Sequence, residues 1–320
     1  MDRPGSLAEL RATLAGFAAA RLGAEPSWCV ALSGGPDSLA LTAAAAAVRP
    51  TTALIVDHGL QPGSEAVAQT AKRQAMTLGC VAAQVVRVQV GSAGGPEAAA
   101  RVARYAALEA ARAGAPVLLA HTLDDQAETV LLGLGRGSGA RSIAGMRSCD
   151  PPWYRPLLGV RRAATVAACA ELGLSAWSDP HNNDRRFTRV RLRTEVLPLL
   201  EDVLGGGVAE ALARTAAALR EDTDALDRLA EHHLAAARSG PGLGVAGIRD
   251  LHEALRRRVI RGWLLSGGAA GITDHQIRAV DALVTAWRGQ GGVAVSWDVA
   301  NTRLFAERSD GTLTLRSEPV

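Results

Sequence analysis

The sequence predicts an α/β protein: a domain built on a parallel sheet, followed by a smaller, mainly helical domain. Short apolar β-type runs alternate with helix-length stretches through the first half. A long amphipathic stretch follows, and beyond it lie two more helical stretches with only brief β-like runs. The length agrees, because 320 residues with 48% hydrophobic content exceed the usual size of one compact domain.

The strand candidates are residues 28–32, 53–57, 82–90 and 117–121, and the helix candidates between and after them are 38–48, 64–78, 97–113 and 124–134. Strict alternation implies βαβ units, and ligands of such sheets gather at the carboxyl ends of the strands. Ser33, Asp57 and His121 stand at those ends and are expected to face one crevice. From residue 207 to 239, Leu212, Leu219, Leu226, Leu229 and Leu234 recur at helical spacing with no proline between them, as in one linking helix. Helical stretches at 250–265 and 274–287 and β-like runs at 293–299 and 304–307 complete the chain. The expected domains are therefore residues 1–204, a linker helix at 205–240, and a C-terminal domain at 241–320.

Composition excludes several classes. Cys29, Cys80, Cys149 and Cys169 lie far apart without a C-x-x-C pair, which argues against a zinc ribbon, an iron–sulfur site or a disulfide framework and fits a reducing compartment. The N-terminal stretch mixes Asp2, Arg3, Glu9, Arg11 and Arg21 among its apolar residues, so it does not read as a signal peptide. No apolar run approaches membrane-spanning length, and a cytoplasmic protein without a membrane partner is expected. Net charge is only +3, so any case for nucleic acid rests on local clusters. Lys72 is the only lysine and lies in no G-x-x-x-x-G-K-[ST] motif, which excludes P-loop kinases and GTPases.

Two polar stretches carry the chemistry. Ser33-Gly34-Gly35-Pro36-Asp37-Ser38 follows the first strand and opens the first helix of the alternating series. Its glycines let the backbone approach an anion, helix-start amides point at that anion, and its serines add hydroxyl donors. Asp37 is the candidate Mg²⁺ ligand, neutralising a departing pyrophosphate. The same hexapeptide also serves as a plain strand-to-helix turn. The second stretch, His121 to Thr129, places a histidine beside Asp124, Asp125 and Glu128 around one helix start. Acids there complement the helix dipole in any protein. At the end of a strand of the same sheet, they also suit a cationic substrate whose ammonium must lose a proton before it attacks.

With these stretches, the chain resembles the tRNA(Ile)-lysidine synthetases, a branch of the PP-loop ATP pyrophosphatases. The match is an ordered set. It runs from Ser33–Ser38 through Val56-Asp57-His58-Gly59-Leu60, Ala100-Arg101-Val102-Ala103-Arg104-Tyr105, and His121 to Thr129. It continues with Arg136-Gly137-Ser138-Gly139, Arg155-Pro156-Leu157-Leu158, and Asp179-Pro180 through Arg193-Thr194-Glu195-Val196-Leu197-Pro198. It spans roughly residues 28–200, and resemblance beyond Gly205 is thin. The pattern is broken at Val190 in place of asparagine, His181 in place of serine, and Ser142-Ile143 in place of Gly-Leu.

The resemblance implies a Rossmann-type fold of the adenine nucleotide alpha hydrolase kind and a two-step reaction. ATP adenylylates the carbon-2 oxygen of the wobble cytidine of the isoleucine tRNA with a CAU anticodon, and the ε-amine of L-lysine then displaces AMP to form lysidine. By that analogy Ser33, Gly34, Gly35, Pro36, Asp37 and Ser38 bind ATP with Mg²⁺, and Asp125 and Glu128 handle lysine. Arg104 and His121 stabilise developing charge; a surface ion pair and a satisfied core histidine are their plainer readings. Arg185, Arg189, Arg191 and Arg193 become tRNA phosphate contacts, with Arg185, Arg189 and Arg193 sharing one face if the segment is helical. Arg256, Arg257, Arg258 and Arg261 are further tRNA candidates or a solvated face. A homodimer is the one protein partner left open. The rival readings are another PP-loop tRNA-modifying enzyme of thiolase type, which the lack of paired cysteines disfavours, and a non-catalytic ATP-binding module.

Overall fold

The computed structural model describes residues 5–59, 61, 63–91, 95–137, 139–179 and 184–319. Leu60, Ser138, Pro180 and His181, all named in the resemblance, lie outside the described residues. The chain divides into two units, Met1–Gly137 with Ser142–Ala216, and Ser138–Arg141 with Ala217–Val320.

The first unit opens with α1 (Ser6–Arg21), then alternates β1 (Trp28–Ala31), α2 (Pro36–Val48), β2 (Thr51–Asp57), α3 (Ser64–Thr77), β3 (Ala82–Arg87), α4 (Pro96–Ala111), β4 (Val117–Leu118) and α5 (Leu123–Gly135). The short α6 (Ala140–Ile143) precedes two-residue strands, β5 (Cys149–Asp150) and β6 (Trp153–Tyr154), which are too short to show any periodicity in the sequence. The sheet order is β3-β2-β1-β4-β6-β5, parallel except for the antiparallel edge strand β5.

Both faces of the central strands β1 and β2 are covered, which explains why these two read as continuous apolar runs. On β1, Trp28 and Val30 join the core formed with Leu10 and Leu14 of α1 and Leu39 and Leu41 of α2. Cys29 turns to the opposite core with Leu54, Leu108 and Val117. Alanines at 40, 44 and 45 keep α2 slim enough to sit within the first core. The indole N–H of Trp28 donates to Thr51 Oγ1 at 2.7 Å, so this large buried ring keeps its polar group satisfied. Lys72 lies on the exposed side of α3.

The chain builds outward from β1 through β2 to β3 and then returns to β1's other side as β4. Between β1 and β4 the order reverses, and the loops leaving both strands open at the same edge, as at the switch points where open α/β sheets bind ligands. After the sheet come α7 (Arg162–Glu171), α8 (Thr188–Arg191), a π-helical turn (Leu192–Val196) and α9 (Leu197–Val203). Pro198 follows that turn in the first turn of α9 and has no N–H to give the normal helical ladder.

The helix α10 (Val208–Ala237) is continuous for 30 residues and runs through the division between the units. The second unit then contains β7 (Arg238–Ser239), β8 (Gly242–Gly244), α11 (Glu253–Ser266), α12 (Asp274–Thr285), β9 (Val293–Val295), β10 (Thr302–Ser309) and β11 (Thr312–Pro319). Its sheet, ordered β7-β8-β11-β10-β9, is antiparallel throughout. The expectation of a mainly helical C-terminal domain is thus corrected: this unit is an antiparallel sheet with helices. Trp263, Leu264, Val280, Leu283, Leu304 and Leu313 meet in its core. No helix among the described residues is long and apolar enough to cross a membrane.

Candidate active site

The loop between β1 and α2 is shaped by Gly34, whose φ of +86° is costly for any residue with a Cβ. The Ser38 hydroxyl donates to the Gly35 carbonyl at 2.9 Å and lies 3.1 Å from the Ser33 hydroxyl, so the two serines fold the loop over the start of α2. Pro36 at the first position of α2 wastes no amide, and the amides after it lack intrahelical partners, as at any helix start. The Trp177 N–H donates to the Gly34 carbonyl at 2.9 Å. Trp177, Ser175, Val67, Thr70 and Gln74 line a cleft of about 290 Å³ against Gly34.

Across the switch point, Thr122 caps α5 in a capping box with Asp125, whose Oδ2 accepts from the Thr122 N–H at 2.8 Å and hydroxyl at 2.9 Å. One turn on, Glu128 has no exposed surface. The two stretches singled out in the sequence meet through a residue that sequence reasoning passed over. Arg162, at the start of α7, places Nε 3.1 Å from Asp37 Oδ2, Nη2 2.6 Å from Asp125 Oδ1 and Nη1 3.6 Å from Glu128 Oε1. Its own N–H donates to Asp124 Oδ2 at 2.7 Å. Thr165 donates its hydroxyl to the other oxygen of Asp37. Arg193, in the π-helical turn, chelates Glu128 at 2.7 and 3.2 Å. Arg161 lies 3.4 Å from Glu210 and 3.6 Å from Asp124. The available signal was the pair Arg161-Arg162, which follows Arg155-Pro156-Leu157-Leu158 at a helix start.

The electrostatics distinguish these acids. Burial raises the Asp37 carboxyl above its ordinary range, against the pull of Thr165 and Arg162. For Asp125 burial pushes the same way, but the Arg162 charge and the Thr122 donors together prevail and lower it. Asp57 is lowered too: burial is outweighed by the Gly59 N–H, which donates to it at 2.9 Å, and by Ser64. Among the described residues no group of three or more His, Cys, Asp or Glu side chains gathers to hold a metal by itself.

A second group beside the acids is cationic. Arg104 is half-buried, lies 5.8 Å from the Tyr105 ring centre and has no carboxylate partner among the described residues. His121 is lowered to about 4, chiefly by burial, with Arg155, Arg104 and Arg101 adding to the shift and Asp125 opposing it. It is therefore a neutral imidazole near pH 7, and its Nδ1 is buried without a hydrogen-bond partner. His58 is lowered likewise, by burial and then by Arg104. This side of the site presents guanidinium charge and neutral imidazole where the loop side presents backbone amides. Such an arrangement can hold polyphosphate and stabilise charge that develops on it.

The arginine-rich segment differs from the single helical face expected of it. The helix begins only at Thr188, so Arg185 stands ahead of it, and Arg193 is turned inward onto Glu128. Arg189 donates to Thr129 Oγ1 on α5 at 3.4 Å. Arg185 and Arg191 remain exposed, at 74% and 61%, and share Glu195. Val190 is buried, which accounts for an apolar residue there. In the second unit, Arg256 is buried and paired with Asp281 at 2.5 Å; Arg257 reaches the same carboxylate at 3.2 Å. These two tie α11 to α12. Arg258 and Arg141 both pair with Asp227.

Comparison with known proteins agrees with this geometry. Residues 10–200 match the PP-loop domain, and residues 243–314 match the TilS substrate binding domain. The chain is 72% identical over 320 residues to the tRNA(Ile)-lysidine synthase of Mycolicibacterium paratuberculosis, covering 100% of both chains. It is 69% identical over 330 residues to that of Mycobacterium tuberculosis, again covering 100% of both. With that of Nocardia farcinica it shares 64% over 311 residues, 97% of this chain and 98% of that one. Among solved structures, the U34-tRNA thiolase NcsA from Methanococcus maripaludis superposes with a TM-score of 0.56 at 17% identity, covering 68% of this chain and 80% of that chain. That likeness speaks for the fold alone. Matched end to end at this identity, with the phosphate loop and the acid cluster facing each other across the β1/β4 reversal, the chain belongs to the tRNA(Ile)-lysidine synthase family.

Proposed function

We propose that this chain ligates L-lysine to carbon 2 of the wobble cytidine in the isoleucine tRNA with a CAU anticodon, consuming ATP and releasing pyrophosphate and AMP. The observation that carries this reading is the bridge from Asp37 in the phosphate loop, through Arg162, to Asp125 and Glu128. An enzyme that first adenylylates an oxygen and then replaces the adenylate with an amine needs an anion site and an ammonium site side by side, and family membership names the substrates.

In the first step Ser33, Gly34, Gly35 and Ser38, with the start of α2, cradle the polyphosphate of ATP. The carbon-2 oxygen of the cytidine attacks the α-phosphorus and pyrophosphate leaves, with Arg104 holding the charge that builds on the phosphate. His121, neutral and with Nδ1 unengaged, suits a hydrogen bond to base or phosphate rather than a fixed positive charge. In the second step Asp125 and Glu128 seat the lysine ammonium and take up its proton, and the freed amine attacks carbon 2 while AMP departs. A magnesium ion would neutralise the pyrophosphate. The residues present fit an ion held by phosphate oxygens and the single carboxylate of Asp37, the usual mode for Mg²⁺. Arg185, Arg189 and Arg191 are proposed tRNA contacts; Arg193, bound to Glu128, supports the ammonium site instead.

Three of the four cysteines, and the lack of any C-x-x-C pair, give the thiolase reading no support. Cys29, Cys80 and Cys169 are buried, and burial raises each thiol, Cys80 to about 11, so none is an available thiolate. The test is turnover of the purified chain with ATP, Mg²⁺, lysine and the tRNA transcript, followed by nucleoside mass spectrometry. Lysine-modified cytidine and AMP are expected with isoleucine tRNA and neither with methionine tRNA. Unmodified cytidine beside an active control enzyme would refute the reading.

A further inference from the structure

We propose that Arg162 is a built-in cation that closes the ammonium site until nucleotide arrives. The proposal rests on the reading of Asp125 and Glu128 as the lysine site and assigns to that site a mode of regulation.

The argument starts from access. Glu128 has no exposed surface, and the side chain of Asp125 is only 12% exposed. Both carboxylates are already paired, Glu128 with Arg193 and Arg162, Asp125 with Arg162 and, at 3.6 Å, Arg193. A substrate ammonium therefore reaches them only if a guanidinium withdraws. Leaving both guanidiniums in place would bring a third cation into a buried site that two already fill.

Arg162 is the one placed to withdraw. Arg193 grips Glu128 through two bonds, at 2.7 and 3.2 Å, whereas Arg162 approaches it only to 3.6 Å and divides its guanidinium between Asp125, at 2.6 Å, and Asp37, at 3.1 Å. Asp37 lies in the first turn of α2, beside the amides and serines of the phosphate loop, so Arg162 already extends to where a polyphosphate binds. Its backbone is held by Asp124, so the side chain can turn without moving α7. A bound polyphosphate offers this guanidinium a stronger anion than the shared carboxylates. Arg162 turns toward it, and the charge it leaves behind on Asp125 and Glu128 is what lysine's ammonium then meets. The two sites are thereby coupled, and the coupling is reciprocal: nucleotide tightens lysine binding, and lysine tightens nucleotide binding by the same factor.

The experiment measures lysine binding to the full chain by equilibrium dialysis, with and without a nonhydrolysable ATP analogue. For the wild type the analogue is expected to tighten lysine binding about tenfold or more. In Arg162→Gln lysine should bind without nucleotide at least as tightly as it binds the loaded wild type, and the analogue should then add less than about twofold. Arg162→Lys, which retains a shorter cation, should restore part of the coupling. Because the glutamine variant leaves carboxylates unpaired, its thermal midpoint is read alongside, and lysine should raise it more than it raises that of the wild type. The proposal falls if the glutamine variant binds lysine no more tightly than the unloaded wild type, if the coupling survives in it, or if lysine stabilises both proteins equally. Modification of tRNA by the wild type, measured in parallel, separates the two failures. If lysidine forms but the coupling is absent, only the gate is lost. If no lysidine forms, the underlying functional reading is lost with it.

Discussion

His121 is kept neutral by the fold, and that has a cost that depends on pH. Its value of about 4 lies below the ordinary 6.5, so between these values the unfolded chain binds a proton that the folded chain refuses. Stability from this group is present above pH 6.5 and declines as pH falls toward 4. We predict that denaturant unfolding shows the wild type losing about 2 kcal/mol through this group between pH 7 and pH 5, and that His121→Gln removes that part of the slope. An unchanged slope in the variant would place the titration elsewhere. Asp37 gives a prediction about chemistry: Asp37→Ala should lower AMP formation by about 100-fold or more, measured with labelled ATP. Undiminished turnover would remove Asp37 from the reaction. Asp37, His121, Asp125 and Glu128 were legible in the sequence because short polar motifs stood at predicted strand ends. Arg162 was not, since its meaning lies in three contacts across more than 30 residues of chain, and nothing local distinguishes it from the other arginines.

The packing of α5 depends on a residue without a side chain. A Cβ on Gly133 would come within 2.4 Å of the Ser142 carbonyl oxygen and 2.7 Å of its carbon, both backbone atoms with little room to yield. Alanine would favour the helix by about 1 kcal/mol if the site were open. We predict instead that Gly133→Ala destabilises the protein by about 1–3 kcal/mol in a urea titration, because the backbone at Ser142 must shift. A stabilised variant would mean that this close approach is dispensable. Legibility at this scale followed the same division between local and distant causes. The strands β1 and β2 were readable as apolar runs buried on both faces, and α10 as a leucine pattern at helical spacing. In the second unit, β11 was missed although Thr312-Leu313-Thr314-Leu315 alternates as a half-buried strand should. The turn before it, Asp310-Gly311, has both φ angles positive, at 49° and 74°, the signature of a tight hairpin. Attention to that pair would have shown the hairpin that makes this domain a sheet with helices rather than the mainly helical domain expected.

At the scale of the whole molecule, the site combines motifs that occupy much of the first unit's sequence, while the tRNA must also be held by charge at the surface. Arg185 and Arg191 are the exposed arginines of the 185–193 segment that pair with Glu195, and exposed pairs of this kind add little to stability. We predict that Arg185→Ala and Arg191→Ala leave the unfolding midpoint unchanged but weaken tRNA binding. Each should reduce the slope of log affinity against log salt by about 1. A slope unaffected in both variants would leave these residues as ordinary surface. Lys72, the only lysine in the chain, has a use of its own. It stands on the outside of α3, whose Val67, Thr70 and Gln74 border the cleft at Gly34. Reductive methylation with isotope-enriched formaldehyde would thus install spectroscopic labels at just two amines, this ε-nitrogen and the chain's α-amino group. The first becomes a resonance watching the cleft where nucleotide is proposed to bind, in a protein with no other ε-amine to crowd the spectrum.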